Sequence, residues 1–262
     1  MRQTLPILMY HSVATSGQGP TPADPLTIHR DVIDEQWAAL RAAGWRLLGL
    51  TAALRVQSTD PSARIIGLTF DDARDDFLHV PELLERHEAT ATLYVPTAHV
   101  GGPGAPVHYA GRVLSWEQLA QLPAERVEIG SHAHRHLPTD VLPPAELSDD
   151  VRRSRAMLQD RLGRPVWSFC YPNGYASARE ARIVARAGYA NACVVGRRLS
   201  RWSDDPYRLP RLQALPSHDG RRIVDLVADG EPGWQPRVKE LAHPPWRVVR
   251  KTVYAVTGRV LT

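Results

Sequence analysis

Ile65-Ile66-Gly67-Leu68-Thr69-Phe70-Asp71-Asp72 decides how this chain is read. A short, nearly continuous apolar run suits a strand covered on both faces, as in a parallel sheet flanked by helices, and here it ends in two adjacent carboxylates. Outward from it, runs of the same kind recur at Ile7 to Tyr10, Trp45 to Leu48, Ala91 to Val95, Val127 to Ile129, Val166 to Tyr171 and Ala192 to Val195. Amphipathic stretches separate most of them: Asp31 to Ala43, Thr51 to Gln57, Pro81 to His87, Trp116 to Gln121, Ala145 to Arg161 and Ser177 to Ala187. Gly44, Gly163 and Gly188 each follow one of these, where a C-terminal cap favours positive φ. The alternation predicts an α/β fold, a distorted (β/α) barrel of about seven parallel strands, with its chemistry at the C-terminal strand ends.

The 262 residues fit one such barrel. Residues 1–230 are expected to form it, and 231–262 to be a basic amphipathic extension. Within that extension, Trp246 to Val256 is expected to dock its Val/Tyr face on the barrel, with weak contact to an anionic membrane surface as the alternative. Ser12 to Pro25 and His99 to Val113, rich in Gly and Pro, are expected to be rim loops over a substrate groove. Lys and Arg total 32 against 28 acidic residues, and Lys occurs only at 239 and 251. There is neither a basic run nor a nucleic-acid fingerprint, so no nucleic-acid partner is expected. Cys170 and Cys193 are too few for a disulfide framework and read as small core residues. The N-terminal apolar run is broken by Tyr10 and His11, unlike a signal peptide, and no stretch approaches the roughly 20 apolar residues of a membrane span. The expected location is the cytoplasm, with peripheral contact at the inner membrane face as a variant. Oligomeric state is left open.

Polar residues follow four of the runs: His11, the Asp71-Asp72 pair, Ser131-His132-Ala133-His134-Arg135-His136, and Tyr171-Pro172-Asn173-Gly174. Asp72, His132 and His136 make a carboxylate and two imidazoles, a three-ligand set for a divalent metal with an open position. The i, i+4 spacing of the histidines predicts a shared face on a helical turn, with His134 pointing elsewhere. Asp71 is left over as a base. Amide hydrolysis also needs an acid to protonate the leaving nitrogen, and His11 is the candidate, with His218 its rival. The set points to metal-assisted hydrolysis.

These residues resemble the polysaccharide deacetylase family, the NodB homology domain or carbohydrate esterase family 4. Thr69-Phe70-Asp71-Asp72 is similar to its TFDDG motif with Ala73 for Gly, and His132 to His136 to its second motif, H-S/T-x-x-H, with Ala133 where a hydroxyl residue is common. The resemblance implies Asp71 as base and Asp72, His132 and His136 around the metal. Phe169 to Gly174 stands where that family has R-x-P-Y-G, with Cys170 at the arginine position. Arg211, in Leu209-Pro210-Arg211, resembles an element of the poly-N-acetylglucosamine branch and is expected to replace that brace; an exposed loop arginine is the alternative. Tyr171, beside Pro172, is expected to border the metal and offer its backbone N–H to an oxyanion. Met9-Tyr10-His11 resembles the N-terminal strand of the same branch, which favours His11 over His218. The resemblance covers about residues 5–228 and leaves the tail outside. It implies removal of N-acetyl groups from N-acetylhexosamine units of a polysaccharide or glycan precursor. Zinc is the default metal, with nickel, cobalt and iron fitting the same ligands. Two rivals stay open: an O-acetyl esterase or small-amide hydrolase on the same site, and an inactive carbohydrate-binding module.

Overall fold

A computed structural model of the chain describes residues 4–15, 26–103, 111–231, 250, 253 and 254. Eight parallel strands form its main sheet: β1 (Ile7–Tyr10), β2 (Arg46–Gly49), β3 (Ile65–Phe70), β4 (Ala91–Val95), β5 (Val127–Ser131), β6 (Ser168–Cys170), β7 (Asn191–Val195) and β8 (Leu209–Gln213). Seven of them close a ring, in the order β1-β8-β7-β6-β5-β4-β3 and back to β1. The fold is therefore the distorted (β/α) barrel that the sequence predicts. Its membership differs from expectation in one strand. Leu209–Gln213 completes the ring, whereas β2 pairs only with the first residues of β3, Ile65 to Leu68. β4 takes Thr69 and Phe70 of β3, and β1, which pairs with Gly67 to Phe70, fills the opposite edge. β2 is thus wedged between the beginnings of β3 and β4, which is the source of the distortion.

Alternation along the strands divides the core in two. Ile7, Ile65, Tyr94, Cys170, Cys193 and Leu209 form an interior cluster, joined by Leu50 and Ala53 of α2 (Leu50–Thr59), which plugs one mouth of the barrel. Their strand neighbours Leu8, Leu68, Leu93, Phe169, Ala192 and Leu212 face the surrounding helices. Those are α1 (Arg30–Ala42), α3 (Val80–Arg86), α4 (Trp116–Gln121), α5 (Pro144–Leu162), α6 (Ala178–Arg186) and α7 (Gly220–Asp229). Ser115 and Ser177 cap α4 and α6 in reciprocal boxes with Gln118 and Glu180, each supplying orphan N–H groups with partners. On the α1 side, Tyr10 stacks on Phe70 at 5.2 Å and donates its hydroxyl to Gln36, fixing the end of β1 just before His11. Among the described residues no helix is long and apolar enough to cross a membrane.

A chain of hydrogen bonds also runs through the interior. Thr92 Oγ1 donates to Glu128 at 2.6 Å and Thr51 Oγ1 donates to the same carboxylate. Asn191 Nδ2 donates to Thr51 at 3.0 Å, Ser168 Oγ to Asn191 at 2.6 Å, and Ser168 shares a 2.6 Å bond with Tyr94 OH. Cys193 Sγ donates to Tyr94 OH at 3.3 Å, which brings the chain to the thiols under the site. Of the expected extension only Glu231, Arg250, Val253 and Tyr254 fall within the described residues, and Trp246 to Val249 lie outside them. Residues 16–25 and 104–110, the larger part of the first expected rim loop and the middle of the second, lie outside them as well.

Candidate active site

The interior face of β3 carries Ile65, Gly67 and Thr69, and the same alternation delivers Asp71 to the barrel mouth. Its N–H donates to Tyr10 O at 3.0 Å, which extends the β1 pairing by one residue. β8 sends Arg211 inward from the other side. Arg211 Nη1 and Nη2 donate to Asp71 Oδ1 and Oδ2 at 2.6 and 2.7 Å, and Nη1 also reaches Thr69 Oγ1 at 3.1 Å. Nη2 is 3.1 Å from Cys170 Sγ, and that thiol lies 3.5 Å from Asp71 Oδ2. Arg211 thus stands where the brace of the missing motif arginine is needed. Burial works to raise the Asp71 carboxyl, but the Arg211 charge and its paired hydrogen bonds prevail and bring it down to about 2.

After Asp71 the chain reverses. Asp72 and Ala73 take left-handed φ of 72° and 47°, which explains why a glycine suits the residue after the aspartate pair. The turn places Asp72 Oδ1 3.5 Å from His132 Nε2 and 3.2 Å from His136 Nε2. Burial opposes the Asp72 charge, yet its hydrogen bonds to both histidines hold the carboxyl well below the usual range. Arg74, itself buried, brings Nε to 3.7 Å from the other oxygen, Oδ2.

The histidines are not on a helix, contrary to the expectation from their spacing. Residues 132–136 form a loop in which Ala133 and His136 have φ of 63° and 56°, and the two rings meet edge to face at 4.7 Å. The loop is tied to α5. Asp150 accepts the His134 N–H at 2.8 Å and Arg135 Nε at 2.7 Å, and Ser154 Oγ donates to Ala133 O at 3.1 Å. His134 turns away to Thr97, at 2.9 Å. Asp150 carries no signal in the sequence, because an acidic residue in a charged helix looks like a solvated one; only its burial separates it. Of seven non-glycine residues with positive φ among those described, Asp72, Ala73, Ala133, His136 and Asn173 lie in the three loops of this site. Such strain collects where a fold must place functional groups.

His132 Nδ1–H donates to Cys170 O at 2.9 Å, which turns Nε2 toward Asp72, the atom that would ligate a divalent ion once it gives up its proton. Two sets of donors among the described residues lie within 4.8 Å of one another: Asp72, His132 and His136, and Asp71, His132 and Cys170. The second is filled by the Arg211 guanidinium, which already spans Asp71 and Cys170. The first fits a divalent ion, and the Asp72 side chain, 23 % exposed, leaves one flank open to solvent and substrate. His11 Nε2 sits 3.8 Å from Asp71 Oδ2. Burial pushes its imidazolium down, against the pull of the Asp71 and Asp72 carboxylates, so a proton placed on it is readily given up.

Two expected residues stand differently. Tyr171 N–H is donated to Cys193 O at 3.2 Å, because the β6–β7 ladder continues one residue past the strand, so this amide is not free for an oxyanion. Pro172 opens a buried turn over Pro172–Gly174, and it is Asn173, at φ 59°, on which the loop swings. His218 takes the Leu215 N–H on Nδ1 at 3.3 Å in the turn before α7, and is not brought to Asp71.

A parallel barrel whose C-terminal rim carries a carboxylate-and-two-histidine cluster beside an arginine-braced aspartate is a hydrolase scaffold of the deacetylase kind. The chain belongs to the polysaccharide deacetylase family, whose model matches residues 58–192. It is 22 % identical over 219 residues to YxkH of Bacillus subtilis (strain 168), whose name places it among the polysaccharide deacetylases, covering 82 % of this chain and 73 % of that one. Its fold is shared with the Streptococcus pyogenes deacetylase PplD, solved with acetate, at a TM-score of 0.74 and 22 % identity over 87 % of this chain and 99 % of PplD. It is shared too with a de-N-acetylase from Aggregatibacter actinomycetemcomitans, at a TM-score of 0.70 and 17 % identity over 84 % and 98 % of the two chains.

Proposed function

We propose that the protein is a metal-dependent N-deacetylase that removes acetyl groups from N-acetylhexosamine units of a polysaccharide or glycan precursor. The observation that carries this reading is the Asp71 carboxylate, clamped by Arg211 beside the Asp72, His132 and His136 donors, with His11 3.8 Å away. Those three donors would hold the ion, zinc by default, and a divalent ion there supplies Lewis acidity toward water and a carbonyl oxygen. Asp71, ionised at every working pH, takes the proton of the attacking water. His11 delivers a proton to the departing amine, which cannot leave as an anion. The Asp71 to His11 separation is short enough for one proton to serve both steps in turn through a small movement.

Acetate release from a panel of N-acetylated oligosaccharides and precursors, measured with and without chelator, tests this. Release that stops on chelation and returns with zinc is expected. Equal turnover after exhaustive chelation would overturn the metal dependence, and release from O-acetyl esters alone would replace an amide substrate with an ester. Binding of glycan with no acetate released from any probe would leave an inactive carbohydrate-binding module.

A further inference from the structure

Beside the site, on the same rim, lies a cavity of about 420 Å³ whose charged walls none of the chemistry above uses. One wall runs from Asn173 to Ala176, and the other is formed by residues of the segments 194–198 and 204–210. The two walls meet at Gly174, where a Cβ would come within 2.6 Å of Val195, and within the second wall a Cβ on Gly196 would come within 2.2 Å of Pro210, so neither glycine has room for a side chain.

Three arginines line this cavity, and two are already neutralised. Arg198 is held bidentately by Asp204 at 2.8 and 2.9 Å, and Asp204 also accepts the Arg201 N–H at 2.7 Å. Arg208 Nε lies 3.2 Å from Asp205, which accepts the Tyr207 N–H at 2.9 Å. Arg197 is the third. Its side chain has no ion pair or hydrogen bond among the described residues, and its backbone is held in the left-handed region, at φ 50°, by an N–H bond to Arg211 O of 2.9 Å. The cavity therefore carries one uncompensated guanidinium. Its anchor is the same Arg211 that clamps Asp71, and its far wall holds Asn173, three residues beyond the Cys170 whose carbonyl orients His132.

We infer that this cavity is a subsite for a negatively charged substituent of the glycan, a carboxylate or a phosphate, paired with Arg197. The inference rests on the deacetylase reading of the neighbouring centre. A sugar chain with its acetamido group at Asp71 and Asp72 has room for a neighbouring unit here, and a guanidinium selects a pair of anionic oxygens by geometry as well as charge. A wholly neutral polymer would leave that charge unanswered.

The test compares wild type, Arg197→Ala and Arg197→Lys on three probes: chitotetraose, which is neutral; a hyaluronan tetrasaccharide, which carries carboxylates; and UDP-N-acetylglucosamine, which carries a diphosphate. Both acetate-release kinetics and calorimetric Kd are read. The wild type is expected to favour one anionic probe over chitotetraose, and Arg197→Ala to reduce that preference by about tenfold or more, through KM and Kd. Arg197→Lys should recover part of it. Preference for the uronic-acid probe identifies a carboxylate and preference for the nucleotide sugar a phosphate. Equal handling of all three, or an anionic preference that survives in Arg197→Ala, would overturn the subsite. Should no probe release acetate, the deacetylase reading fails by itself, while the Kd comparison still decides whether Arg197 binds the anion.

Discussion

Arg211 closes both terminal nitrogens on the two oxygens of Asp71, at 2.6 and 2.7 Å, from a strand 140 residues further along the chain. Both partners are buried, so the pair holds the Asp71 carboxylate, the proposed base, in one orientation and ionised. Arg211→Lys keeps the charge but loses the fork, and kcat is expected to fall about 100-fold, a barrier rise of roughly 3 kcal/mol. Arg211→Met leaves a buried carboxylate alone and should destabilise the fold by about 3–5 kcal/mol in urea unfolding. Cys170 Sγ lies 3.1 Å from Arg211 Nη2, so Cys170→Arg placed on Arg211→Met puts a guanidinium back beside Asp71. Recovery of part of the lost stability and activity in that double variant is the expected result.

Acid stability should carry the signature of the same pair. The Asp71 carboxyl is lowered from 3.8 to about 2, against the cost of burial, chiefly by Arg211. A depressed carboxyl contributes stability that is complete above its unfolded value and disappears as pH falls through its folded one. The stability difference between wild type and Asp71→Asn, measured in chelator from pH 6 to pH 2, is therefore expected to stay level down to about pH 4 and shrink below it.

Asp76 should behave in the opposite sense. Burial lifts its carboxyl from 3.8 to about 6 even though Ser12 Oγ donates to it. A raised carboxyl favours the folded state in acid, and that contribution is lost as pH climbs from about 4 through about 6. Asp76→Asn should accordingly gain roughly 1–3 kcal/mol on wild type at pH 8 and little at pH 4, as read by denaturant titration at the two pH values.

How far the sequence revealed this arrangement depends on what each segment hides. β3 and the residues after it were legible because a strand covered on both faces reads as an apolar run, and Asp71 and Asp72 follow it directly. β8 was not. Its five residues include Pro210 and Arg211, one a poor strand former and the other a charge, and the charge is acceptable only because Asp71 meets it inside the barrel. The spacing of His132 and His136 fits a helical turn equally well on paper. Left-handed residues at Ala133 and His136 achieve the same convergence in a loop, and nothing in their side chains announces that.

Asp150 offers a test of how the histidine loop is held. Its carboxylate, buried on α5, accepts the His134 N–H and an Arg135 Nε–H, and so fixes the segment between His132 and His136, the proposed metal ligands, without joining their donor set. Outer partners of this kind typically matter by about 10- to 100-fold in metal affinity. Asp150→Asn can keep one acceptor but not both, and should weaken zinc affinity by roughly tenfold, while Asp150→Ala should approach 100-fold. Competition with a chromophoric chelator measures this without turnover. Unchanged zinc affinity in both variants would mean that the loop is held by Ser154 and the β5 ladder alone.

Arg250 reaches the other end of that loop. Arg250 is buried, ion-paired with Asp140 and stacked 3.7 Å above the ring of Tyr175, while Tyr254 packs on the core. Asp140 lies four residues past His136, and Tyr175 closes the turn that carries Asn173, with Thr139 Oγ1 donating to Tyr175 O at 3.0 Å. One side chain from outside the family match therefore joins two of the three site loops. Arg250→Ala strands the buried Asp140 carboxylate and is expected to cost about 3–5 kcal/mol of stability. Arg250→Ala with Asp140→Asn removes the stranded charge and should cost less than the single variant. A thermal-unfolding cycle over the four proteins measures the coupling, and additive effects would show that Arg250 packs on Tyr175 without holding the loops.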